Sequence, residues 1–177
     1  MATYSEEYKE KLITAEQAAR LVKSGDFILF AHGRQAVAVG RAIAERKSEL
    51  KDVEIMIPSP IYDFGWYDPG WEESFAVSIA LPTPVCQAGI DAGRVDMKPD
   101  LLFPGNELAE IRDPDILLVE VSTPDEKGYC SFGQSLWGKK RQIARAKVVI
   151  AEVNKNLIRT YGDNFVHVSE IDYFVAH

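Results

Sequence analysis

Cysteine and histidine are scarce in this chain of 177 residues, which holds two Cys, at positions 86 and 130, and three His. The cysteines form no metal-ligand spacing and no disulfide framework, so neither a structural metal nor a cross-linked secreted scaffold is expected. Long apolar runs are missing too. The longest, such as residues 27–31 and 116–119, fall far short of the roughly 18 residues a membrane span needs, and the opening MATYSEEYKEKL is too charged for a secretory signal. Positive charge is in deficit: 20 Lys and Arg against 27 Asp and Glu leave a net charge of −7, which argues against a general nucleic-acid or anionic-membrane binder. The expectation is a cytoplasmic protein with no nucleic-acid, membrane or metal partner. What is present, 46% hydrophobic and 27% charged residues, is the composition of an ordinary globular protein. At about 150 residues per domain the length predicts one domain over 1–177.

Strand and helix signals alternate along the chain. Thr14 and Gln17 have the spacing of a capping box and Gly25 supplies a left-handed stop, predicting a helix over 14–24. Continuous apolar runs at 26–31, 53–57, 115–121 and 147–153 predict strands buried on both faces, and residues 165–175 alternate enough for a last strand. Between them, Val39, Ala42, Ile43 and Leu50 fall at helical spacing in 35–50, and a basic helix is expected over 136–145. A helix over 83–92 should be capped by Thr83, start at Pro84 and close at Gly93. The Pro-, Gly- and aromatic-rich segment 58–84 reads as a long irregular excursion with one strand at 75–80, and its Trp66, Tyr67 and Trp71 suit a hydrophobic lid or, preferably, a protein interface. A further loop carries Pro99, Pro104 and Gly105. This order predicts an α/β fold, a mostly parallel sheet flanked by helices, in which ligands bind beyond the carboxyl ends of the strands.

That rule directs attention to the loops 31–35, 58–67, 122–133 and 154–160. In the first, Gly33 permits close backbone approach, Arg34 brings positive charge, and the following helix N-terminus favours an anion such as a phosphate or carboxylate. In the third, Asp125, Gly128 and Ser131 suit a backbone folded near a ligand, with Asp125 either positioning substrate or forming a turn. Glu120 and Glu152 lie at the ends of apolar strands, where a carboxylate must be paired or line a cleft. Cys130 has no nearby His and reads as an inert buried thiol. The basic run 138–147 reads as a solvated face, with a phosphorylated ligand or acidic subunit as the alternative.

Three segments carry a resemblance. DPDILLVEVSTPDEKGYCSFG (113–133) resembles the P-D-x-x-G-x-x-S-x-G signature of the acetyl-CoA hydrolase/transferase family, which includes 4-hydroxybutyrate and butyrate:acetate CoA-transferases. AKVVIAEVNKN (146–156), RTYGD (159–163) and HVSEIDY (167–173) resemble another segment of that family, and the stretch 6–28 resembles its start. The family commonly has Gln where this chain has Glu120 and Glu152, and a Pro in the loop that follows Gly33. The resemblance implies a CoA-transferase-like fold and CoA exchange between an acyl-CoA and a short carboxylic acid through a glutamyl-CoA thioester. It also implies that the nucleophilic Glu lies in the C-terminal half of a longer enzyme, so no catalytic residue is assigned to this chain. An oligomer with a Glu-bearing second domain or subunit is expected. Gly33, Arg34, Gln35, Ser59, Asp125, Gly128 and Ser131 are the residues expected to line the acyl-substrate pocket. Two other functions fit the same residues, a non-catalytic CoA- or organic-acid-binding regulatory domain and a sugar-phosphate isomerase using the Gly33 loop.

Overall fold

The computed structural model describes residues 4–99 and 112–176. The Pro104–Gly105 loop falls outside these described residues. Along the chain run α1 (Tyr4–Glu10), β1 (Leu12–Ile13), α2 (Ala15–Ala19), β2 (Phe27–Phe30), α3 (Val37–Glu45), β3 (Val53–Ile57), β4 (Phe75–Ile79), α4 (Gln87–Asp91) and β5 (Val95–Met97). They are followed by β6 (Ile116–Val121), β7 (Tyr129–Ser131), α5 (Lys139–Arg145), β8 (Val148–Val153), β9 (Phe165–His167), a 3₁₀ turn (Val168–Glu170) and β10 (Tyr173–Ala176). Eight strands form one sheet in the order β1-β10-β8-β6-β2-β3-β4-β5, parallel throughout, and β7 and β9 form a separate antiparallel pair. The α/β architecture read from the sequence is therefore the architecture found.

The continuous apolar strands are explained by burial of both sheet faces. Ile28, Phe30, Ile55, Ile57, Leu118 and Ile150 point to one layer, against α2 and α3. Leu29, Met56, Leu117, Val119, Val149 and Phe174 alternate with them into the other, shared with Ile143 of α5 and with Cys130 and Val166 of the small sheet. Each such aliphatic side chain contributes about 1.5–3 kcal/mol on leaving water.

Several local expectations are corrected. The capping box is present, with Gln17 N–H donating to Thr14 Oγ1 and Thr14 N–H to Gln17 Oε1, but α2 stops at Ala19 and the chain reaches Gly25 through turns. The helix expected over 83–92 shortens to Gln87–Asp91, because the Thr83 hydroxyl donates to the Pro60 carbonyl at 2.6 Å instead of capping. The last strand splits in two: the His167 ring caps the 3₁₀ turn by accepting the Ser169 N–H, which sends β9 and β10 into different sheets. Trp66 and Tyr67 are not an exposed interface but are 2% and 3% exposed. Trp66 packs edge-on or tilted among Phe30, Phe64 and Phe75, and Gly40 makes the room, since a Cβ there would lie 2.6 Å from the Phe64 ring.

Candidate functional site at the strand switch point

From β2 the chain steps outward through β3, β4 and β5, whereas β6, β8 and β10 step away on the other side. The strand order reverses between β2 and β6, and it is beyond the carboxyl ends of strands at such a switch point that open α/β sheets bind ligands. β2 exits through His32, Gly33 and Arg34 into α3, and β6 exits at Ser122. Gly33 has φ +110°, and a Cβ there would lie 2.7 Å from Ser135 Cβ, so any side chain would meet both a strained backbone and its neighbour. Ser135 holds the loop in turn, its hydroxyl donating to the His32 carbonyl at 2.9 Å.

Two carboxylates sit beneath this loop. Glu120 and Glu152 are register partners on β6 and β8, 6% and 3% exposed. The α3 N-terminus, expected to attract a ligand anion, takes its anion from the chain itself: Glu152 accepts the N–H of Val37 at 3.0 Å and of Val39 at 3.1 Å. A carboxylate there satisfies two otherwise unpaired donors and complements the helix dipole, so those amides are closed to a ligand. Glu120 instead accepts from Asn154 at 3.0 Å and pairs with the half-exposed Arg34 guanidinium at 3.2 Å.

The basic run is not the uniformly solvated face expected of it. Lys140 pairs with Asp163, Arg145 with Asp113 and Lys147 with Asp115, but Lys139 is 2% exposed. Its Nζ lies 5.5 Å from the Phe132 ring centroid and 3.8 Å from where a Gly33 Cβ would be. Burial pushes this ammonium down to about 8, with the charge of Glu120 working in the opposite direction. Sequence reasoning missed Lys139. The available signal was its position on one helical stripe with Gln142 and Ile143, which are also buried.

The other expected residues divide into two groups. Gln35, 2% exposed, clamps the loops after β2 and β3, its Nε2 donating to the carbonyls of Gly33 (2.8 Å) and Ser59 (3.0 Å) and its Oε1 accepting the Ile61 N–H (2.9 Å). Asp125, Gly128 and Ser131 build the turn into β7. Asp125 Oδ1 accepts the N–H of Lys127 and of Tyr129, each at 2.9 Å, and Oδ2 meets Arg159 at 2.9 Å. Burial works to raise the Asp125 carboxyl, but those two amides and the Arg159 charge outweigh it and hold it below the usual carboxylate range. Gly128, at φ +82°, leaves room for His167, whose Nε2 would lie 2.7 Å from a Cβ. Ser131 is fully buried, its N–H donating to Ser122 Oγ at 2.9 Å. Arg159 joins this turn to the β6 exit by also donating to Ser122 Oγ (3.0 Å), to the Thr123 carbonyl (3.1 Å) and to the Tyr129 carbonyl (3.1 Å). Thus Gly33 and Arg34 lie on the loop leaving β2 at the switch point, Gln35 ties that loop to Ser59, and Asp125, Gly128 and Ser131 belong to the turn into β7. Burial pushes the nearby Cys130 thiol up to about 12, so it stays protonated and inert.

Among the described residues no group of three or more His, Cys, Asp and Glu side chains is disposed to hold a metal, and no helix is long and apolar enough to cross a membrane. Chemically, the switch point gathers two cations, Arg34 and Lys139, and two buried carboxylates, Glu120 and Glu152, of which Glu152 is taken up by the α3 amides. The family model of the acetyl-CoA hydrolase/transferase N-terminal domain matches residues 1–177. A 4-hydroxybutyrate coenzyme A transferase of Clostridium kluyveri is 37% identical over 97% of this chain and 41% of its own length. A probable butyrate:acetyl-CoA coenzyme A-transferase of Syntrophomonas wolfei is 27% identical over 96% of this chain and 39% of its own. The crystal structure of RipA from Yersinia pestis superposes with a TM-score of 0.86 at 22% identity, covering 99% of this chain and 44% of that one. The chain thus spans about two fifths of the length of the curated relatives it matches.

Proposed function

The chain belongs to the acetyl-CoA hydrolase/transferase family, in its N-terminal domain, and from that premise we propose that it supplies one wall of the active site of an acyl-CoA:carboxylate CoA-transferase. The nucleophilic Glu comes from the portion of the relatives that this chain does not span. In the reaction, that carboxylate attacks the acyl-CoA carbonyl and expels CoA thiolate, which returns to form a glutamyl-CoA thioester with release of the first acid. A second acid then takes the CoA by the reverse steps. This chain's part is to hold anionic groups at the strand switch point. Arg34 faces the ligand, Gly33 lets the backbone approach it, and Gln35 with Ser59 and Asp125 with Gly128 and Ser131 fix the two walls. The observation that carries the proposal is the Arg34, Lys139 and Glu120 cluster at the switch point of a chain 37% identical to a 4-hydroxybutyrate CoA-transferase. The two cysteines, both buried and unpaired, suit a reducing cytoplasm, and the active form is an oligomer in which the second portion packs against this one.

The test is acyl exchange. The chain, alone and joined to a polypeptide equivalent to the unmatched portion of its relatives, is assayed for CoA transfer between butyryl-CoA and acetate or 4-hydroxybutyrate. Exchange is expected only in the joined form, with loss on Arg34→Ala. Full activity of the chain alone, or none in the joined, folded protein, overturns the proposal.

A further inference from the structure

The role proposed above sets Arg34 against the ligand and counts Lys139 in the cluster without giving it a task of its own. Among the described residues the Lys139 Nζ has no hydrogen-bond acceptor and no ion-pair partner within reach; Phe132 and Gly33 are its neighbours. An ammonium so placed is costly and calls for a reason. The chain also enters α5 through two left-handed residues, Trp137 at φ +24° and Gly138 at φ +70°, immediately before Lys139. Positive φ at a tryptophan is strained backbone, and such strain concentrates at working sites.

The charge of Glu120, at the end of β6, acts on Lys139, and Glu120 is itself paired with Arg34 of the β2–α3 loop at 3.2 Å. Glu152 is the register partner of Glu120 on β8, and His32 lies against Trp137 with ring centroids 4.9 Å apart. Glu152 accepts two α3 amides, and Glu120 is the carboxylate that pairs with Arg34 and whose charge acts on Lys139. We infer that Lys139 is the positioning residue of an anion site at the β2/β6 switch: its buried ammonium offsets Glu120, so that the half-exposed Arg34 guanidinium is left to receive a carboxylate or phosphate oxygen. When Lys139 loses its proton, Arg34 is the one cation left to balance Glu120 and its hold on a ligand weakens. Charges this close interact strongly in a partly desolvated site. Burial brings the ammonium down to about 8, so the change falls within a range where the folded protein is measured. The inference rests on the reading that this switch point takes anionic substrates.

The experiment is calorimetric titration of the chain with butyrate and, as a separate arm, with inorganic phosphate, between about pH 7 and pH 9.5. The expected result is an association constant that falls about fivefold or more as the pH passes about 8, in the arm whose chemistry the site recognises. Lys139→Met should lower affinity at about pH 7 by a similar factor and flatten the profile. Lys139→Arg should keep the affinity and also flatten the profile, because a guanidinium does not titrate there. The wild-type profile needs no variant to fold. Binding that ignores pH, a Lys139→Met profile like that of wild type, or no binding of either probe overturns the inference. Exchange activity without dependence on Lys139 defeats this inference alone, whereas Lys139-dependent binding in a joined protein that performs no exchange defeats the transferase proposal alone.

Discussion

Removing the Glu152 carboxylate should destabilise the fold more than any change at the exposed acidic residues. In Glu152→Ala the amides of Val37 and Val39 lose an acceptor at 3.0 and 3.1 Å, in a position only 3% exposed where water cannot easily replace it. Hydrogen bonds to a charged group contribute about 1.5–3 kcal/mol each, and relief of the buried charge returns part of that. The net loss works out at about 3 kcal/mol, or about 10 °C in melting temperature for a chain of this size. Glu152→Gln keeps one carbonyl acceptor and should lose about half as much. Urea unfolding followed by far-UV circular dichroism measures both. If Glu152→Ala unfolds within about 0.5 kcal/mol of wild type, α3 is not capped by β8 in the way its geometry indicates.

Two further outcomes follow from the loops around the switch point. Gly33→Ala meets both a φ of +110° and the Ser135 side chain, and should cost about 1–3 kcal/mol by thermal melting; adding Ser135→Gly should recover only the steric part. Arg159→Met removes the donors shared by Ser122, Thr123, Asp125 and Tyr129, and hydrogen exchange should then quicken at Tyr129–Ser131 before it changes in β6. Because the Asp125 carboxyl is held below its ordinary value when folded, the turn's contribution is present above about pH 4 and lost as the pH falls through the lowered value. Asp125→Asn should abolish that acid-side loss of exchange protection.

The strands were legible in the sequence because a parallel sheet covered on both faces leaves uninterrupted β-branched runs. β3 lies where its run predicts it, and β2, β6 and β8 fall within a residue of theirs. Elements that failed were decided by distant partners. Thr83 has the right spacing to cap a helix, yet its hydroxyl finds Pro60, and nothing near residue 165 announces that the His167 ring will break a strand. The same division holds at the site. A glycine and an arginine between a strand and a helix are a local pattern, and Gly33 and Arg34 lie on the loop that leaves β2 at the strand switch point. That Glu152 would cap α3 from the other half of the chain, or that one lysine of a basic run would be buried, depends on tertiary neighbours that no short window contains.

The pairing of β1 with β10 joins Leu12 to Phe174 and Ile13 to Val175 across nearly the whole described chain. Closing so large a loop is entropically expensive, and non-local parallel pairing forms slowly. The local crossovers can assemble first, so this ladder is expected late in folding. Until it forms, β10 presents an open row of amides and carbonyls beside the apolar Phe174, a template for pairing with another chain. The N-terminal segment then works as a latch: the Tyr8 ring packs edge-on against Phe174 at 4.8 Å, Lys11 Nζ donates to the Val168 carbonyl at 2.9 Å, and a strand only two residues long covers the edge while offering little edge of its own.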